Sequence, residues 1–397
     1  MIDQPSAVLR QLVMPVYLPV IAATFGMAML VPVLPLYLTS EGFSLGTTSV
    51  ILAAAGLGAS IGGLPAGSLV ARLSERSVLF GALWVTAASI AVLGVTTAVG
   101  ALVGFRLSFG AANVAVRLSR QTFITRRVVP GVRGRAMALF GGSFRLALLF
   151  GPLLGGALVD LVGFRSTFLV AGAFAAAGIL PAKLGGEGRL GLLPDASTVQ
   201  QQTGLLKSLS AHKQRLLTAG FAPMLVMTVR EGRFVVLPLI GDGLGLSATG
   251  VGALVTVSTA ADVLLFPVAG WLMDRFGRLY AMVPAFGLVT MGLVILGLAN
   301  STSTVVLAGV VMGVGNGMSA GTLLTLGSDL APLDSPGPFL AGMATLQDSG
   351  RFLGPMLVGA IGAWIDLSAS AFALAIVMLV AIAWLIAVVG ETSDEQT

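Results

Sequence analysis

The chain has no cysteine, one histidine, three tyrosines and only 10% charged residues in 397. Without cysteine there is no disulfide, no thiol nucleophile and no thiolate metal ligand. The lone His212 lies in a polar stretch and has no second histidine with which to hold a metal. An enzyme needs a clustered nucleophile and base or a set of metal ligands, and the sequence has no H-E-x-x-H-like spacing. No enzyme activity, cofactor or metal is expected. Long solvated regions are also scarce: hydrophobic residues make up 56% of the chain, and the mean hydropathy is +0.98. That composition belongs to a polytopic membrane protein rather than to two or three soluble domains. A net charge of +5 would suit a nucleic-acid binder if the basic residues shared a solvated face, but they lie between apolar segments, so no nucleic-acid partner is expected.

A helix needs about 20 mostly apolar residues to cross the bilayer core. Twelve stretches meet that length: 13–38, 47–71, 78–97, 99–119, 136–159, 165–183, 215–240, 249–272, 280–299, 303–327, 338–360 and 369–390. Barrel strands alternate over about 10 residues, whereas these runs are twice as long and rich in Gly and Ala, so an all-α membrane fold is expected. The opening MIDQPSAVLRQL has no short apolar core followed by a small-residue cleavage site, and the first span is expected to remain as a helix. With the N-terminus inside, cytoplasmic loops hold Arg72, Arg76, Arg120, Arg126, Arg127, Arg133, Arg135, Arg275 and Arg278, while the outer loops hold only Arg165. The positive-inside rule then puts both termini in the cytoplasm.

An internal repeat organises these spans. LPLYLTSEGFSLGTT, from Leu34, lies over LPLIGDGLGLSATGV, from Leu237, at an offset of 203. The same register carries Gly67 and Arg72 onto Gly270 and Arg275, Gly110 and Asn113 onto Gly313 and Asn316, and Gly151-Pro152 onto Gly354-Pro355. One ungapped register over more than a hundred residues predicts two pseudo-symmetric six-helix bundles, 1–183 and 214–397, in parallel repeat. The polar segment 184–213 joins them as a cytoplasmic linker.

Short motifs agree with that plan. GWLMDRFGR, containing Gly270, Asp274, Arg275, Gly277 and Arg278, follows helix 8; its counterpart GSLVARLSE starts at Gly67 and keeps Arg72, but has Ala71, Ser74 and Glu75 where Asp, Gly and Arg would match. Helix 1 contains FGMAMLVPVLPLYL; helix 5 contains GPLLGG, with Gly151, Pro152, Gly155 and Gly156; helix 4 contains GFRLSFGAAN around Arg106. Together these resemble the major facilitator superfamily, and the helix 1 and helix 5 motifs resemble its twelve-helix drug:proton antiporter branch. The resemblance implies a gating role for the loop after helix 8, with Asp274 at a neighbouring helix N-terminus and the arginines facing the negative inner leaflet. It also implies a proton-coupled antiporter in a cell membrane, exporting lipophilic small molecules or drugs by alternating access, and the Ala- and Gly-rich, Cys-free composition with short loops suggests a bacterial inner membrane. Its partners would be a small-molecule substrate, protons and the lipid bilayer, and the protein is expected to be a monomer.

Ionisable groups at mid-span cost about 2.5 to 3.5 kcal/mol each on insertion scales, which makes them functional candidates. Arg106, Arg145, Arg230, Arg233 and Arg351 stand within spans, as do Glu231, Asp262 and Asp348. Glu231 is ranked first as the proton-coupling acid, then Asp348, then Asp262, which stands alone on helix 8. Positions i and i+1 diverge by about 100° on a helix, so the useful partner of Glu231 is expected from another helix rather than from Arg230. Asp348 and Arg351 are spaced to form a local pair. The arginines are candidates for substrate binding or charge relay, and Asn113 and Asn316 for the same or for interhelical hydrogen bonds. Because the first-half spans contribute arginines and no acid, a second reading has the protein exporting or flipping an organic anion or an acidic amphipathic lipid.

Overall fold

The computed structural model describes residues 5–185, 213–332 and 336–392. Among them there is no strand, and each of the twelve apolar stretches is largely helical. A short α1 (Pro5–Gln11) and wider turns at Val13–Tyr17 lead into α2 (Leu18–Ser40), α3 (Leu45–Arg72), α4 (Glu75–Val92), α5 (Val99–Arg127), α6 (Pro130–Ala177) and α7 (Ile179–Leu184). After the linker come α8 (Lys213–Gly243), α9 (Ala248–Phe276), α10 (Arg278–Gly297), α11 (Thr302–Met318), α12 (Thr322–Asp329), α13 (Pro336–Trp364) and α14 (Leu367–Trp384), which runs on through Leu385–Val389. Most of the linker, 186–212, lies outside the described residues, and His212 with it. By length and composition, nine helical stretches among the described residues are able to cross a membrane. The long helices α8 and α13 are outside that set, and they carry Arg230, Glu231, Arg233, Asp348 and Arg351.

Side-chain caps set several helix starts. Ser74 and Ser247 accept from the amides of Ser77 and Gly250, Asp366 accepts from that of Ala369, and Ser301 and Thr304 form a reciprocal capping box. Two breaks are glycine-directed. Gly163 adopts φ 79° inside α6 and separates the legs read as helices 5 and 6. Gly321 adopts φ 83° and splits the stretch read as one continuous helix 10 into α11 and α12. A residue with a Cβ is strained in that left-handed region.

The chain divides into two compact units: Met1–Val33 with Gly58–Gln200, and Leu34–Leu57 with Gln201–Thr397. In the first, α6 crosses α2 at glycines. A Cβ on Gly151 would lie 2.5 Å from the Cβ of Ala28, and one on Gly155 would lie 2.6 Å from the Met29 carbonyl oxygen. Gly155 and Gly156 are buried, so GPLLGG is first of all a close-packing surface. In the second unit Gly354, the repeat partner of Gly151, does the same, with Gly350 one turn before it where the first half has Ala147. A side chain on Gly350 would collide with the Met224 carbonyl and one on Gly354 with that of Thr228, so α13 lies tightly on α8. The start of α3 joins this unit because Ser49 packs where Gly359 leaves no room for a Cβ.

Candidate functional site

The glycine crossing of α8 and α13 positions the central charges. Gly354 lies against Glu231 as its repeat counterpart Gly151 lies against Ala28, with the Glu231 Cβ 3.2 Å from a Cβ built on Gly354. The second half therefore places a carboxylate at the crossing point where the first half has a methyl group. One turn away on α13, Arg351 forms an ion pair with Asp348, Nε to Oδ1 3.0 Å, while its Nη1 lies 3.7 Å from Glu231 Oε1. One guanidinium thus faces two carboxylates. Arg351 and Glu231 keep about a third of their side-chain surface exposed (33% and 31%), whereas Asp348 keeps 13%.

Arg230 and Arg233 point to different partners, as their helical positions require. Arg230 Nη2 donates to Ser319 Oγ at 2.9 Å and lies 3.4 Å from the Ser319 carbonyl, at the C-terminal end of α11 where helix 10 breaks. A cation there satisfies carbonyls released by the break and complements the helix dipole. Arg233 is 3% exposed. Its Nη2 lies 4.0 Å from Asp262 Oδ2 on α9, and the guanidinium sits over the Phe234 ring, 4.7 Å from its centroid. Its Nε and Nη1 have no hydrogen-bond partner among the described residues. Asn316 of α11 also donates to Asp262 Oδ2. Asp262, alone on its own helix in the sequence, is therefore held from α8 and α11.

The repeat-related asparagines both make interhelical bonds. Asn113 donates to the Met27 Sδ at 3.1 Å in the first unit, and Asn316 bonds Asp262 in the second. Arg106 lies over the ring of Phe109, 4.9 Å from its centroid, so Phe109 supplies an aromatic face for the arginine. Arg145 is half-buried on α6.

Asp274 and Arg275 are exposed, and Arg275 lies over Trp271 and Phe276. The carboxylate at the N-terminus of α10 belongs to Glu391, which accepts from the backbone amides of Arg278 and Leu279 at 2.9 Å each. Gly277, at φ 95°, makes the turn before them. Arg278 Nε in turn donates to Asp329 Oδ2 at 2.9 Å, and Thr392 Oγ1 bonds the same oxygen.

At the same offset of 203, Arg278 falls on Glu75 and Asp329 on Arg126. Arg126 Nη1 contacts Glu75 Oε1 at 3.1 Å. The first half therefore makes the same ion pair with its charges exchanged, and Glu75, which breaks the motif by identity, keeps it by pairing. Arg120, 2% exposed, secures this end by donating to the carbonyls of Pro15 and Glu75. Reversing one member, as in Glu75→Arg, should destabilise the protein by placing two cations together. Adding Arg126→Glu should restore about 1 to 3 kcal/mol of coupling in a double-mutant cycle read by thermal unfolding. Additive single effects would show that the two groups are independent.

An all-helical chain with an internal repeat, charges inside its long apolar helices and a broken helix has the features of a secondary-transporter fold. The chain matches the Major Facilitator Superfamily over residues 16–229 and 219–397, and it belongs to that family. It is accordingly a multi-pass membrane transporter and not an enzyme. Over 148 residues it is 28% identical to the bacillibactin exporter of Bacillus subtilis (strain 168), a stretch that covers 35% of this chain and 37% of that protein. Its fold is similar to that of the nucleoside transporter NupG, with TM-score 0.78 and 14% identity over 96% of this chain and 99% of that one. It is also similar to a bacterial homologue of the human lysosomal transporter Spinster, with TM-score 0.74 and 14% identity over 97% and 95% of the two chains.

Proposed function

We propose that the protein is a proton-coupled antiporter that exports a lipophilic small molecule by alternating access. In this reading twelve helices cross a bacterial inner membrane as two six-helix halves, 1–183 and 214–397, with both termini and the linker 184–213 in the cytoplasm. The observation that carries the proposal is Arg351 between Glu231 and Asp348. A guanidinium held between two carboxylates can release one of them to a proton as access alternates, and burial within the membrane makes each charge there costly enough to favour the exchange. Asp348, three residues from Arg351 on the same helix, holds the guanidinium when Glu231 takes the proton. Glu231, reached from a second helix and the more exposed of the two acids, is the coupling site. Asp262 is assigned a packing role, because Arg233 and Asn316 already occupy it. The likeness to an exporter supports the outward direction.

The test is substrate-dependent proton movement in proteoliposomes carrying a pH dye, with a panel of lipophilic cations, neutral compounds and organic anions. Addition of a transported lipophilic compound should drive proton flux in the opposite direction. Transport of the same compound without proton movement would sink the antiport reading. A response confined to organic anions would replace the substrate class and leave the coupling intact.

A further inference from the structure

A groove on the second unit, away from the buried charges, has the form of a lipid site. Its mouth, about 460 Å³, is formed by Gln214, Arg215 and Thr218 of α8 with Leu330, Val388 and Val389. It continues into a body of about 310 Å³ lined by Leu217, Phe221 and Met224 of α8 with Leu346 of α13 and Trp384 of α14. Gln214 and Thr218 border both parts, so the groove follows one face of α8 from its first turn into the apolar segment.

The groove is built rather than incidental. Trp384 Nε1 donates to the Thr218 carbonyl at 3.0 Å, and its ring packs against Phe221 at 4.7 Å between centroids, which fixes the aromatic wall. Its character changes along its length: the body is almost wholly apolar, while the mouth carries Arg215, with the exposed Lys213 outside the lining at the first residue of α8. The nearby acids are committed elsewhere, Asp329 to Arg278 and Thr392, and Glu391 to the start of α10. Arg215 forms no ion pair with a described acid. With the α8 start at the cytoplasmic surface, as proposed above, a cationic mouth over an apolar slot matches a molecule with an anionic head and an acyl chain.

We propose that this groove binds an anionic phospholipid of the cytoplasmic leaflet, its phosphate at Arg215 and Lys213 and one acyl chain along Phe221 and Trp384. The inference rests on the cytoplasmic placement of the α8 start but not on proton coupling or on the transported substrate. An acidic lipid seated there bridges α8, α13 and α14, and so ties the helices that carry Glu231 and Arg351 to the composition of the inner leaflet.

The test is native mass spectrometry of the full chain released from micelles holding equal amounts of dioleoylphosphatidylglycerol and dioleoylphosphatidylcholine. The protein should retain phosphatidylglycerol preferentially, and Lys213→Gln with Arg215→Gln should lower that preference by about tenfold or more, since each basic group near an anionic lipid surface contributes about a factor of five. Both residues are exposed, so the variant is expected to remain folded. Leu217→Glu, at a half-exposed position in the body, should expel the acidic lipid while leaving the mouth intact. Equal retention by all three proteins would overturn the proposal. So would protection of the intact protein by soluble glycerol phosphate to the same degree as by the lipid, which would make the mouth a free-anion site. Phosphatidylglycerol retention that emerges only after Asp394→Asn with Glu395→Gln would likewise overturn it, since the acidic chain end would then be the natural occupant.

Discussion

Glu231→Gln is expected to abolish transport driven by a pH gradient in proteoliposomes while leaving downhill movement of the substrate measurable. Glutamine keeps the size of the side chain at the crossing of α8 and α13, where Gly354 leaves little space, so packing is preserved. What it removes is the ability to exchange a proton and to attract Arg351. With Glu231 neutral, Arg351 keeps its contact with Asp348, and the carboxylate proposed to exchange the proton is gone. The measurement is substrate flux with and without an imposed gradient, on protein shown to be monodisperse. Retained gradient dependence in Glu231→Gln would remove Glu231 from the coupling role and move the assignment to Asp348, to be tested by Asp348→Asn.

The second large effect is expected on stability. Asp262→Asn leaves Arg233 buried, 3% exposed, without the carboxylate that faces it. Removing one member of a buried pair costs about 3 to 5 kcal/mol because the remaining charge is stranded. That is a large share of the stability of an ordinary domain, so Asp262→Asn should unfold at clearly lower temperature and accumulate poorly in the membrane. Replacing both groups, as in Asp262→Asn with Arg233→Met, should recover most of the loss, since the stranded cation is gone and methionine fills the space apolarly. Thermal unfolding of the single and double variants decides the matter. If the double variant is as unstable as the single one, the pair does not act as an electrostatic unit.

The helical plan was legible because its signals are local and repeated. Span length, the charge difference between loops and the ungapped 203-residue register depend on neighbours in the chain, and they gave the helix positions to within a few residues at most boundaries. The partner of Glu231 was legible only by elimination: helical geometry turned Arg230 away, but nothing in the local pattern named Arg351 rather than another buried arginine. The break in helix 10 was missed because GNGMSAGT reads as an apolar, small-residue run; the positive φ of Gly321 and the bond from Arg230 to Ser319 are tertiary facts. Glu391 was missed for the same reason, since it reaches the start of α10 from 113 residues away. The Glu75–Arg126 pair was the one omission the sequence itself could have repaired. Its signal is a repeat register in which acid and base exchange places at two linked positions, and a comparison that scores each position by identity discards it.

The glycine crossing has a mechanical consequence. Glu231 and Arg351 are mounted on two rods clamped at their point of contact within a single unit, and a clamp of this kind transmits displacement without changing the gap between the groups it holds. Rigid travel of that unit therefore does no work on the ion pair. Under the coupling proposed above, the pair opens when the carboxylate changes its chemical state, so proton exchange and rigid travel are separate events at this site.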